Sequence, residues 1–299
     1  MRVLVTGASG WVGSAVVPEL LSAGHHVTGL ARSDTSAAAI EAAGAATVRG
    51  GIDDLDVLRD AAAKSDAVIH LAFPVDLALA GRIADAVTTD VTTIKTLGEG
   101  LGDDGVIAIA SATVGLATHG IPATERDEPP PGALIALRVP CDRAALTLAE
   151  RGVRPLVVRL PPTTHGKGDN GFVPHLVATA RRTGFSGYPG DGAARWSAVH
   201  VHDAARLFRL AVESAPTGYL HAVAEEGIAL REIAKAIGHH LDLPVRSVPM
   251  SLVDDHFGFL APFLKADSPV SSTITREATG WFPAQPSLLA DLNEGHYFT

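Results

Sequence analysis

The eight residues Thr6-Gly7-Ala8-Ser9-Gly10-Trp11-Val12-Gly13 follow directly on the apolar run Val3-Leu4-Val5, and no other stretch constrains the fold as tightly. Arg2 to Thr6 is a short β-branched-rich run closed by glycine, and Val12 to Ala23 carries apolar residues at helical spacing until Gly24. The glycines therefore lie at a strand-to-helix turn. Gly7 permits the tight reversal, Gly10 lets backbone N–H groups approach a pyrophosphate, and Gly13 lets helix and strand pack closely. Phosphates then rest on the helix N-terminus, where unpaired N–H groups and the helix dipole favour negative charge. A glycine-rich turn without a ligand is the alternative reading. The strand before and the helix after favour the dinucleotide.

The rest of the chain continues the pattern. Strands are expected at His26–Ala31, Ala46–Arg49, Ala67–Ala72, Val106–Ala110 and Leu156–Leu160. Helices are expected at Ser36–Ala43, Asp53–Lys64 (capped by Asp53 or Asp54), Asp76–Gly98 and Ala133–Arg151. This alternation predicts an α/β fold, a Rossmann-type doubly wound parallel sheet. Residues 1–160 read as the dinucleotide-binding domain. From Pro161 to residue 299, Gly, Pro and His accumulate, which predicts a smaller C-terminal substrate-covering region with some segments returning to the core. With 46% hydrophobic but only 5% aromatic residues, the core is built largely of Ala, Val and Leu, as helices on a buried parallel sheet require.

Composition also excludes function classes. A net charge of −9 argues against nucleic acid or an anionic membrane as a partner. No run reaches the roughly eighteen apolar residues of a membrane span, and the chain enters a strand at once without a signal peptide, so a cytoplasmic protein is expected. The single cysteine, Cys141, excludes an internal disulfide framework and a Cys-rich metal site. No Gly-x-Ser-x-Gly elbow of a serine hydrolase is present. His200, His202 and Asp203 have a metal-like spacing but no further ligand, so no metal is expected and Asp203 is read as the start of a helix.

The end of the second strand bears on the cofactor. An acidic side chain there would accept from the adenosine ribose hydroxyls, whereas a basic one would pair with a 2′-phosphate. The sequence reads Ala31-Arg32-Ser33-Asp34, so Arg32 and Ser33 predict NADP(H), with Asp34 near enough to serve NAD instead.

The turn at 6–13, Val68-Ile69-His70-Leu71-Ala72-Phe73, Ser111-Ala112-Thr113-Val114-Gly115, Val158-Arg159-Leu160-Pro161 and Val199-His200-Val201-His202-Asp203 together span most of the chain. As a set they resemble the extended short-chain dehydrogenase/reductase superfamily, to which the NAD-dependent epimerase/dehydratases belong. The resemblance implies that Thr6, Gly7, Gly10, Trp11, Val12 and Gly13 hold the pyrophosphate and that Leu71, Ala72 and Phe73 line the cofactor. It implies that Ser111 is the catalytic serine. Gly51 stands where relatives often carry an acid for the adenine amino group, which leaves Ile52 an apolar contact. Homodimers are common among such proteins, so the resemblance alone implies one.

One departure falls at the centre of the chemistry. Relatives use a Tyr-x-x-x-Lys pair, but none of Tyr188, Tyr219 and Tyr297 is followed four residues later by lysine. The equivalent positions fall near Leu134 and Arg138. Leu134 transfers no proton. Arg138 keeps a cation that would bind the nicotinamide ribose or a developing oxyanion, but it is no acid near neutrality. His165, on the loop after the sixth strand, is a candidate proton donor beside the reading of a histidine capping a glycine-rich turn. Thr113 is a candidate hydrogen-bond donor to a carbonyl, and Tyr188 a candidate proton donor on a loop over the substrate beside the reading of a tyrosine that simply packs. The expected activity is NADPH-dependent reduction of an apolar aldehyde, ketone or similar polarised double bond. An NADP-sensing protein without turnover and a redox-neutral epimerase or isomerase stand as alternatives.

Overall fold

A computed structural model describes residues 1–117 and 120–299. Strands β1 (Arg2–Thr6), β2 (His26–Ala31), β3 (Ala46–Arg49), β4 (Ala67–His70), β5 (Val106–Ala112) and β6 (Arg154–Leu160) alternate with helices α1 (Trp11–Ser22), α2 (Asp34–Ala42), α3 (Leu55–Ala63), α4 (Val75–Leu79), α5 (Ile83–Gly100) and α6 (Val139–Leu146). Beyond residue 160 follow β7 (Thr163–His165), α7 (Phe172–Thr183), β8 (Ser186–Pro189), β9 (Arg195–His200), α8 (Val201–Ser214), β10 (Gly218–His221), β11 (Glu225–Ala229), α9 (Leu230–Leu241) and β12 (Val245–Val248). Short helical turns complete the chain, ending with Leu288–Asn293.

The central sheet has seven strands in the order β10-β6-β5-β4-β1-β2-β3, and every neighbouring pair is parallel. Chain order reverses between β1 and β4, which opens a crevice above their carboxyl ends. Side chains alternate across the sheet. Val3, Val5, Ile69, Ala108 and Val158 pack with α1 and α8 on one face. Leu4, Val68, Ile107, Ile109 and Val157 pack with α3, α5 and α6 on the other. Helix α8 lies against α1, and β10 extends the sheet beside β6, so residues from beyond 160 share the central core. Outside it, β11-β9-β7 and β12-β8 form two small sheets over a second core around Trp196.

Several boundaries differ from the sequence reading. The single helix expected at Asp76–Gly98 is two, because Gly81 takes a left-handed φ of 77° and turns the chain between α4 and α5. The helix expected at Ala133–Arg151 is a 3-10 turn (Leu134–Arg138), then α6, then a second 3-10 turn (Thr147–Arg151). Pro140 lies in the first turn of α6, where its missing N–H costs nothing. Asp54 stands before α3 but does not cap it; its carboxylate accepts from the Gly51 amide. Helix α8 begins at Val201, two residues before Asp203, and His200 caps it, its ring accepting from the His202 amide.

Candidate active site

The turn between β1 and α1 has no room for a side chain at Gly7 or Gly13. A Cβ on Gly13 would lie 2.1 Å from the Gly7 carbonyl oxygen, and one on Gly7 would lie 2.8 Å from the Ala72 amide nitrogen. Gly7 also takes φ 67°, a left-handed conformation. Gly10 precedes α1 with no side chain capping the helix and no acid in its first turn, so the amides at this end stay available to an anion. Leu71 and Ala72 lie against Gly7, and the Trp11 indole donates to the Thr164 carbonyl at 2.7 Å, which closes the turn from the side of β7. The cradle fits a dinucleotide pyrophosphate. Thr6 lies beneath it, fully buried, with its hydroxyl on His70 Nδ1 at 2.7 Å.

At the end of β2, Arg32 points into solvent with its side chain 79% exposed and only a 3.7 Å pairing to Asp76. The β2–β3 register sets Arg49 opposite Ala31, beside it. Arg49 pairs with the Asp34 carboxylate and donates to the Ser33 carbonyl. The acid that would serve a ribose diol is therefore already engaged by a cation. Ser33 caps α2 in a reciprocal box with Ser36. Ile52, half-buried after β3, accepts from the Thr93 hydroxyl through its carbonyl at 2.7 Å.

A chain of buried polar groups runs from this turn to Arg138. His70 Nε2 meets Asp90 Oδ1 at 2.9 Å, and Asp90 Oδ2 lies 3.3 Å from the Arg138 guanidinium. Burial works to raise the Asp90 carboxyl, but the hydrogen bond from His70 and the charge of Arg138 hold it below the ordinary range. Arg138 also donates to the Ala110 carbonyl at 2.9 Å and stacks over the Phe73 ring with its guanidinium carbon 4.0 Å from the centroid. Its position is thus fixed from three sides. Leu134 lies one turn earlier, its amide against Gly115 in the loop after β5.

Ser111, near the end of β5, pairs in register with Arg159 on β6, and Arg159 with His221 on β10, so the three share one row and one face. Ser111 and Thr113 are buried and neither hydroxyl has a hydrogen-bond partner. Arg159 is fully buried, with its guanidinium carbon 3.7 Å from the centre of the Tyr219 ring. Asp142, on α6, faces the same row; it is wholly buried and both its carboxyl oxygens lack partners.

The structure thus brings Leu71, Ala72, Phe73, Ser111, Thr113 and Arg138 to the carboxyl ends of β4 and β5. It separates His165 from them. That ring is fully buried against the C-terminal segment, with Nδ1 on Asp291 Oδ2 at 2.9 Å and its face edge-on to His200. Tyr297 bonds Gly166, Asp169 and Asp291 around it, so His165 anchors the end of the chain. Tyr188 contacts Gly192 on the outer region. The sequence reading did not single out His70, Asp90, Asp142 or Arg49. The four-residue spacing from Arg138 to Asp142 and the β2–β3 register were the available signals.

An α/β sheet of this order, with a bare glycine cradle at its crossover, defines a dinucleotide-binding fold of the Rossmann type. The family model for the NAD dependent epimerase/dehydratase family matches residues 3–221, and this chain belongs to that family. It is 43% identical over 300 residues to an uncharacterized protein of Schizosaccharomyces pombe, covering 100% of both chains. It is 29% identical to 2'-dehydrokanamycin reductase of Streptomyces kanamyceticus, over 83% of this chain and 69% of that one. Its fold matches dTDP-glucose 4,6-dehydratase from Streptomyces venezuelae with a TM-score of 0.79 at 21% identity, over 100% of this chain and 97% of that one. Among the described residues no helix is long and apolar enough to cross a membrane.

Proposed function

We propose that this chain reduces a carbonyl group, in an apolar aldehyde or ketone or a similar polarised double bond, using NADPH. The observation that carries the reading is the convergence of Arg138, Phe73 and the unpartnered Ser111 hydroxyl beside the glycine cradle. The reductase relative at 29% identity supports it. Arg32 and Arg49 would hold the 2′-phosphate, the amides at 11–13 the pyrophosphate, and Arg138 the ribose.

When bound, the reduced nicotinamide supplies the hydride. Ser111 offers its hydroxyl to the substrate oxygen, where charge develops as the carbonyl is reduced. Thr113 offers a second hydroxyl two residues on. Arg138 contributes a fixed positive charge, since Asp90 and Ala110 hold it and a guanidinium does not deprotonate near neutrality. Phe73 and the half-buried Leu77 supply an apolar wall that excludes water. His165 has no part in this scheme, because Asp291 engages its Nδ1 away from the cluster.

The test is a panel of aldehydes and ketones with NADPH, followed by absorbance of the reduced cofactor, beside titrations of NADPH and NADH. The proposal expects NADPH to bind more tightly and at least one carbonyl to be reduced. Equal affinity for the two cofactors would overturn the NADP assignment, and tight NADPH binding without oxidation across the panel would overturn the reductase reading.

A further inference from the structure

The reduction needs a proton, and this chain lacks the tyrosine that relatives use. Leu134 and Arg138, at the equivalent positions, offer none. We propose that Asp142 stands behind Ser111 as its proton reservoir, a positioning residue whose carboxylic acid restores the proton that the Ser111 hydroxyl gives to the substrate oxygen. The inference rests on the reductase reading above.

Geometry carries it. Asp142 lies four residues after Arg138 in the first turn of α6, and its side chain is 0% exposed. Around it stand Ser111 from β5, Arg159 from β6, Tyr219 from β10, Arg138 from the preceding turn, Asp90 from α5 and its own neighbour Cys141. Both arginines direct their terminal nitrogens elsewhere, Arg138 to Asp90 and Ala110 and Arg159 to the Asp127 carbonyl, although each keeps a buried Nε without a partner. Among the described residues no cation closes an ion pair with Asp142, and neither of its oxygens accepts a hydrogen bond. A bare carboxylate in that position would be costly. A protonated carboxyl instead carries one donor, and the Ser111 oxygen, itself without a partner, is the acceptor that faces it.

Burial pushes the Asp142 carboxyl above the ordinary carboxylate range, against the pull of the Ser111 hydroxyl and the charges of Arg159 and Arg138, with Asp90 adding to the rise. Burial thus favours the protonated form that the relay requires. In the reduction the carbonyl carbon accepts hydride from NADPH and the π pair moves to oxygen. That oxygen takes the Ser111 proton, and the Ser111 oxygen takes the proton of Asp142. One carbonyl, one NADPH and one proton give one alcohol and NADP⁺, and water reprotonates Asp142 after product leaves.

Asp142→Asn keeps the shape and removes the transferable proton. Two measurements on the full chain test it. The first is kcat against pH with NADPH and a reducible carbonyl, beside NADPH affinity. The expectation is a fall of at least tenfold with cofactor affinity unchanged, and loss in the variant of a limb on which wild-type kcat declines as pH rises. The second is stability to denaturant without cofactor. Below the ordinary aspartate value of about 4 both folded and unfolded wild-type chains hold the proton. Above it the unfolded chain releases the proton first, so the wild type weakens relative to the Asn variant as pH rises above that value.

A kcat within twofold of wild type, or an unchanged pH profile in a chain that does reduce carbonyls, overturns the relay alone. A wild type that gains on the variant with rising pH overturns it too, as does a variant unable to fold at neutral pH, since either means that the charge is required. A wild type that binds NADPH but reduces nothing overturns the reductase reading and the relay with it.

Discussion

The proposed preference for NADPH rests on two single side chains, Arg32 and Arg49. Arg32 is exposed and only loosely paired, whereas Arg49 neutralises Asp34, the acid that would otherwise favour a ribose diol. Arg32→Ala is expected to weaken NADPH binding about tenfold or more while leaving NADH nearly unchanged, the scale of a lost charge-assisted bond. Arg49→Ala is expected to narrow the preference from the other side by freeing Asp34. Both are read by paired titrations. At the other end of the cofactor, Ser111→Ala should lower kcat at least tenfold with NADPH affinity intact, and an unaffected rate would move the oxyanion contact elsewhere. Arg32 and Ser111 were legible because they lie at fixed offsets from strand ends. Arg49 was not, because its place depends on strand register, and Asp142 was not, because an acid in the first turn of a helix reads equally well as a solvated partner of the helix dipole.

At the scale of elements, the β1–α1 turn is the least forgiving part of the molecule. A methyl at Gly13 would sit 2.1 Å from the Gly7 oxygen, so Gly13→Ala must push α1 off the sheet. The expected outcome is a loss of about 1–3 kcal/mol in denaturant unfolding together with loss of NADPH binding. Retained affinity would mean that the cofactor does not depend on this close approach. β1, β2 and β3 follow the limits expected from sequence because their apolar runs are short and closed by glycine or polar residues. The long helices failed for the opposite reason. Apolar spacing continues through Gly81 and past Pro140, whereas the left-handed φ of 77° at Gly81 separates α4 from α5 and Pro140 marks the first turn of α6.

The whole molecule is tied together by buried polar groups whose charge state matters. His221 is fully buried; its Nδ1–H donates to the Ser271 carbonyl at 2.8 Å, which leaves Nε2 facing Arg159 at 3.5 Å. Burial first, and the Arg159 charge as well, lower its pKa to about 4 against the pull of Glu125, and burial beside His165 lowers His200 to about 4. Both rings are neutral in the folded chain near neutrality. The unfolded chain takes up protons from about pH 6.5 downward, before the folded one does, so stability is full above that value and falls between about pH 6.5 and 4. The loss is on the order of a few kcal/mol. His221→Gln should make that acid limb shallower in denaturant unfolding followed across pH; an unchanged limb would assign it to other groups.

Reduction itself is tested most directly by following the hydrogen. NADPH labelled with deuterium at the transferable C4 position, incubated with the chain and a carbonyl from the panel, should yield an alcohol carrying deuterium on the former carbonyl carbon. The label should be lost from the cofactor in equal amount, and Ser111→Ala should slow the transfer at least tenfold. Cofactor recovered with its label intact, with the substrate either unchanged or rearranged without label, would contradict the account and mark the chain as a sensor or a redox-neutral enzyme.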